Sequence, residues 1–165
     1  MLGAPGRAGR LGGRAWFGHC IHWQDSEVAA LAESRSVAAF CPTSKRFLGS
    51  GLFDQARLTR AGVRIALATD VGGGTSYSML RTAAEGYKVL QLNGQSWPPL
   101  EAFYRMTLGN ARALSLDDRI GSIEPGKLAD LVVLPEDILT VTEKHIEQMH
   151  VSLTMVGGAV VYRKP

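Results

Sequence analysis

Apolar and polar positions along this chain fall into two alternating patterns. Short, almost uninterrupted apolar runs occupy residues 15–21, 37–41 and 63–69 (VRIALAT), and the last of these ends at Asp70. A run that is apolar at every position suits a strand buried on both faces, as in a parallel sheet. Between and after them, apolar residues recur at helical spacing. A helix is expected from Asp25 or Ser26 to about Arg35, with Val28, Leu31 and Ala32 on one face, and another over 52–61 with Gly62 just past its end. The spacing of Leu80, Ala83, Ala84, Tyr87 and Leu90 predicts a helix capped by Thr75 or Ser76 and running to about Asn93. Pro98 and Pro99 open one more, whose apolar face is Leu100, Phe103, Tyr104, Leu108, Ala111 and Leu114.

The pattern changes after Asp117. Glu124, Pro125, Gly126 and Lys127 form a turn, residues 129–134 a strand, and residues 152–162 a hairpin closed by Gly157 and Gly158. The fold class expected is therefore α/β: strand–helix units over residues 16–116, then a small β element over 117–165. Three parallel strands leave two open edges and apolar faces. Such a layout reads as part of a larger assembly, prone to associate.

Charge and composition narrow this picture. Of 18 Lys plus Arg against 15 Asp plus Glu, the whole net charge of +3 is carried by Arg7, Arg10 and Arg14. The same first 15 residues hold five of the 19 glycines and no acid, so they are expected to be a disordered tail on a charge-balanced body. Nucleic-acid binding usually needs a basic folded face, and is not expected. There is no apolar run of membrane-spanning length, and no secretory signal opens the chain. Two cysteines, Cys20 and Cys41, are too few for a disulfide framework and fit a reducing, cytoplasmic setting.

Among residues able to do chemistry, Asp70 stands out. It ends a buried strand and precedes a glycine loop, the place where α/β folds put their sites. A carboxylate there binds a metal, moves a proton, or merely caps the loop. His19 ends the first apolar run and can face the same mouth, where a neutral imidazole orients a water or a leaving group. His22 reads as an ordinary loop histidine, and His145 and His150 as surface residues. Cys41, before Pro42, reads as a packed thiol. Without Cys-x-x-Cys, neither a structural zinc site nor a deaminase of the H-x-E…P-C-x-x-C type fits. Gly72, Gly73 and Gly74 lie in VGGGTS, which is neither G-x-G-x-x-G nor a P-loop. They are better read as letting a substrate approach Asp70.

Four stretches carry a resemblance: FGHCIH (17–22), CPTSKRFLGSGLFD (41–54), ATDVGGGTSYSMLR (68–81) and TLGNARALSLDDRIGSIEPGKLADLVVL (107–134). Together they closely resemble guanine deaminases, zinc-dependent aminohydrolases of the amidohydrolase superfamily. The resemblance implies a distorted (β/α)8, TIM-like barrel with a small β-sandwich built from both chain ends. The three apolar runs would be barrel strands 6, 7 and 8, and the residues from about 120 the C-terminal share of the sandwich. It further implies Zn2+ as cofactor, with Asp70 as a metal ligand that takes a proton from the attacking water. His19 would orient that water. Guanine or a related purine would be the substrate, deaminated to xanthine and ammonia, and a homodimer the full-length assembly.

The same resemblance exposes departures. The four histidines are 19, 22, 145 and 150, so the family's His-x-His pair and its His-x-Ser-Glu element, which supplies a third histidine ligand and the proton-relay Glu, do not occur. Of four expected metal ligands only Asp70 remains, and Lys45 stands where the family usually has Asn. The chain is thus expected to be the C-terminal portion of such an enzyme, inactive alone and without stoichiometric zinc. A deaminase of another ring, a non-catalytic module needing an N-terminal half in trans, and weak RNA binding by the Gly/Arg tail are the competing readings.

Overall fold

A computed structural model describes residues 15–141 and 143–165, with the side chains of residues 45–47, 143 and 144 left aside. The tail expected over residues 1–15 therefore lies outside the described residues, apart from Ala15, as does the side chain of Lys45. Among the described residues the chain forms two three-stranded sheets. No described helix is long and apolar enough to cross a membrane.

The first sheet is parallel, with strands β1 (Trp16–Gly18), β2 (Val37–Phe40) and β3 (Arg64–Leu67) in that spatial order. Gly18 pairs with Ala39, and Phe40 with Leu67. All four residues of the central strand are buried, as its unbroken apolar run requires. Helix α1 (Asp25–Glu33) links β1 to β2, and α2 (Pro42–Leu48) with α3 (Gln55–Arg60) link β2 to β3. Helices α4 (Met79–Leu92), α5 (Pro99–Met106) and α6 (Leu108–Leu114) follow. The second sheet is antiparallel, in the order β4 (Leu131–Val133), β5 (Leu153–Val156), β6 (Ala159–Arg163), with α7 (Glu143–Gln148) between β4 and β5. Gly157 and Gly158 close its hairpin with φ of 57° and 84°, both left-handed as a type I′ turn demands.

Several local expectations shift. Helix α1 is capped by Gln24 in a reciprocal box with Glu27, which frees Asp25 to pair with Arg57. The cap of α4 is Ser78, whose side chain accepts from Arg81 N, rather than Thr75 or Ser76. The expected helix after Pro99 is two helices, broken at Thr107, where ψ is −104°. Helix α2 has no apolar periodicity to announce it; Pro42 simply opens it, its missing N–H costing nothing at a first helical position.

The buried face of α4 is Thr82, Ala83, Gly86, Val89 and Leu90, one step round from the face expected. Gly86 is the reason. A Cβ there would come within 2.9 Å of the Trp97 ring and 3.2 Å of Phe40. The bare backbone lets α4 lie directly on that aromatic cluster, in which Phe40 stacks on Phe53 at 4.5 Å and meets Trp97 edge-on at 5.8 Å.

One edge of the parallel sheet is less open than expected. The side chain of Asn110 in α6 takes both backbone groups of Leu67: Leu67 N donates to its Oδ1 and its Nδ2 donates to Leu67 O, each at 2.9 Å. Arg105 in α5 donates to Ile65 O at 3.3 Å. Replacing Asn110 by Leu leaves the N–H and C=O of a buried residue without partners, at ~1–3 kcal/mol for each such group. Chemical denaturation is expected to show a loss of about 2–4 kcal/mol, and no loss would mean that water replaces the amide.

Candidate metal and catalytic site

Three strand ends converge at the carboxyl edge of the parallel sheet. His19 directly follows β1 and extends its ladder by donating its N–H to Ala39 O at 2.9 Å. There the backbone turns sharply: φ is 76° at His19 and 46° at Cys20. Asp70 lies three residues beyond β3 with φ of 49°. Non-glycine residues rarely hold positive φ, and such strained positions concentrate at functional sites.

These turns bring the two side chains together. His19 Nε2 lies 3.7 Å from Asp70 Oδ2, and each side chain is about one-third exposed, at 37% and 36%. Cys41, one residue past β2, joins them: a ring nitrogen of His19, the Cys41 sulfur and an Asp70 carboxylate oxygen all lie within 4.8 Å of one another. The cysteine is buried, and it was read from the sequence only as a packed thiol. Its Sγ also approaches Ala39 O at 3.5 Å. His19 Nδ1 is shut from solvent and has no hydrogen-bond partner. Cys20 stays outside the cluster; its Sγ donates to Phe17 O, and burial, with Cys41 nearby, pushes its thiol pKa up to about 12.

The glycine loop shapes one wall of this mouth. Asp70 is anchored from below, where Thr43 Oγ1 in α2 donates to Thr69 O at 3.1 Å. Gly73 packs beside the carboxylate, since a Cβ there would sit 3.3 Å from Asp70 Oδ2 and 3.5 Å from Ser44. Gly74 allows a far closer approach: its N–H donates to Asp70 O, and a Cβ would lie 2.0 Å from Thr69 O. Gly72 takes the turn itself, at φ of 109°. Beyond the loop, residues 75–78 with Arg81 and the end of α7 line a cleft of 470 Å³.

The other histidines lie outside this cluster. The ring of His22 bonds Ser50 O at 2.9 Å. His145, exposed, lies 3.0 Å from Glu136, and His150 is exposed at the 470 Å³ cleft.

Comparison with known proteins follows the same lines. The Amidohydrolase family matches residues 2–161. The guanine deaminase of Escherichia coli is 40% identical over 162 residues, which are 94% of this chain and 37% of that protein. The solved structure of E. coli guanine deaminase superimposes with a TM-score of 0.87 at 39% identity, over 95% of this chain and 41% of the other. An adenosine deaminase from Xanthomonas campestris, solved with bound zinc, gives a TM-score of 0.80 at 26% identity, covering 94% and 38%. This chain therefore spans less than half the length of these relatives. With nearly its whole length matched, the chain belongs to the amidohydrolase family.

Proposed function

We propose that this chain carries the carboxylate and imidazole of a guanine deaminase site. In this reading, residues 16–116 are strand–helix units of a (β/α)8 barrel, corresponding to its strands 6–8, and residues 117–165 are a share of a β-sandwich. The likeness to E. coli guanine deaminase supports both. The single observation that carries the chemistry is the 3.7 Å approach of His19 Nε2 to Asp70 Oδ2 across the carboxyl end of the sheet.

The residues present fit a zinc ion. Asp70 offers a carboxylate of the kind zinc binds at ~2.0–2.2 Å, with His19 Nε2 3.7 Å away to face the ion's water. The Cys41 sulfur lies at the same mouth, within 4.8 Å of the donor atoms of His19 and Asp70. Zinc would be held by Asp70 together with donors at the same mouth, and when bound it lowers the pKa of a coordinated water from ~15.7 toward ~7.

The chain's own residues then have distinct tasks. Asp70 accepts a proton from the attacking water. His19 donates a hydrogen bond that aims the water at the amino-bearing ring carbon of guanine. Gly73 and Gly74 keep the wall beside Asp70 free of side chains, so that a flat ring can come close. The overall reaction consumes guanine and water and releases xanthine and ammonia. The full-length form would act as a homodimer.

A chimera tests this. Residues from Trp16 to Arg163 are placed in E. coli guanine deaminase in place of its matching segment, and guanine, adenine, cytosine and triazine rings are offered. Turnover of guanine to xanthine with one zinc per chain is expected. A folded, zinc-loaded chimera that ignores guanine but deaminates another ring would overturn the substrate assignment.

A further inference from the structure

We propose that Cys41 is a ligand to the metal, so that His19, Cys41 and Asp70 form a nitrogen–sulfur–oxygen site for a borderline-soft divalent cation within this chain. The proposal rests on the reading of Asp70 as a metal carboxylate, adds Cys41, which that reading does not use, and makes His19 a ligand in the chain taken alone rather than the group that orients the water.

Three observations support it. The donor atoms of His19, Cys41 and Asp70 gather within 4.8 Å although they come from the ends of three different strands. His19 Nε2 faces Asp70 Oδ2 at 3.7 Å, close enough for one ion to bridge the two. The sulfur sits on a side chain that is buried at 3% exposure, one residue past the central strand, whose last pairings are Gly18 with Ala39 and Phe40 with Leu67. Imidazole and thiolate together favour zinc or cobalt over magnesium or calcium, which prefer all-oxygen sets. Three protein ligands with one open position is also the usual composition of a catalytic zinc site. The opposite expectation, that a chain without the His-x-His and His-x-Ser-Glu elements holds no stoichiometric zinc, is the outcome the test below sets against it.

Binding balances simply. The Cys41 S–H bond breaks, its proton passes to solvent, and the sulfur–metal bond forms with no change of oxidation state. The second thiol offers an internal contrast, because Cys20 stands outside the cluster.

The test is a titration of the 165-residue chain with Co2+ under reducing conditions, read by absorption, with zinc binding measured by competition. One cobalt per chain is expected, with the near-ultraviolet charge-transfer band that reports a thiolate–cobalt bond. Cys20→Ser should keep the band. Cys41→Ser should abolish it and weaken binding by about 100-fold, while Asp70→Asn should weaken binding but leave the band at saturation. Cobalt bound without the band, yet lost in Asp70→Asn, would overturn the role of Cys41 and leave the Asp70 reading standing. A chain folded by circular dichroism that binds neither cobalt nor zinc would overturn the proposal outright. The wild-type spectrum decides the sulfur question even if a Cys41 variant fails to fold.

Discussion

Asp70→Asn in the chimera is expected to lower kcat for guanine by about 10³-fold, within the ~10²–10⁴ range of positioned general acid–base groups. The substitution preserves shape and hydrogen-bonding reach while removing the negative charge. It therefore leaves the left-handed backbone at φ of 49° undisturbed, since Asn tolerates that region as well as Asp does. What it removes is the ability to accept a proton and to hold a cation beside His19. Zinc content should fall with turnover. Supplying excess zinc should restore occupancy only partly and kcat hardly at all, because the proton acceptor is still missing. Activity within tenfold of the parent would show that Asp70 serves only to cap its loop.

Gly74→Ala should reduce turnover by about 100-fold without any change of charge. The added Cβ would lie 2.0 Å from Thr69 O and 2.7 Å from Thr43 Oγ1, so the Thr69–Asp70 backbone must move. Displacing a reacting group by about 1 Å costs on the order of 10²-fold. Gly18→Ala is the matching control, since a Cβ there meets nothing within 4 Å, and turnover should stay close to the parent. A Gly74→Ala chimera as active as the Gly18→Ala one would mean that the loop's close packing does not position Asp70.

The sequence made His19 and Asp70 legible for a simple reason: each ends an apolar run, and in parallel sheets such ends share one mouth. The hairpin was equally legible, because consecutive glycines between alternating strands leave few other conformations. Cys41 was not. Which neighbours a buried cysteine before a proline meets follows from the register of β2 between its two neighbours. Gly86 escaped notice because hydrophobic periodicity counts side chains, whereas the closest helix contact here is made by the lack of one. The break at Thr107 and the start of α2 have no periodic signal at all. The cover over the β3 edge joins residues 43 positions apart, beyond any local pattern.

That cover has a consequence for how this protein can change over time. The Asn110 amide stands in for a peptide unit of a neighbouring strand, and it holds the carboxyl end of β3 independently of the loop beyond. Thr43 fixes the next stretch of backbone from the opposite side. The carboxylate is thus carried on a support that owes nothing to residues 75–78. Under the proposed function, substrate preference and chemical competence can then drift separately in such a fold.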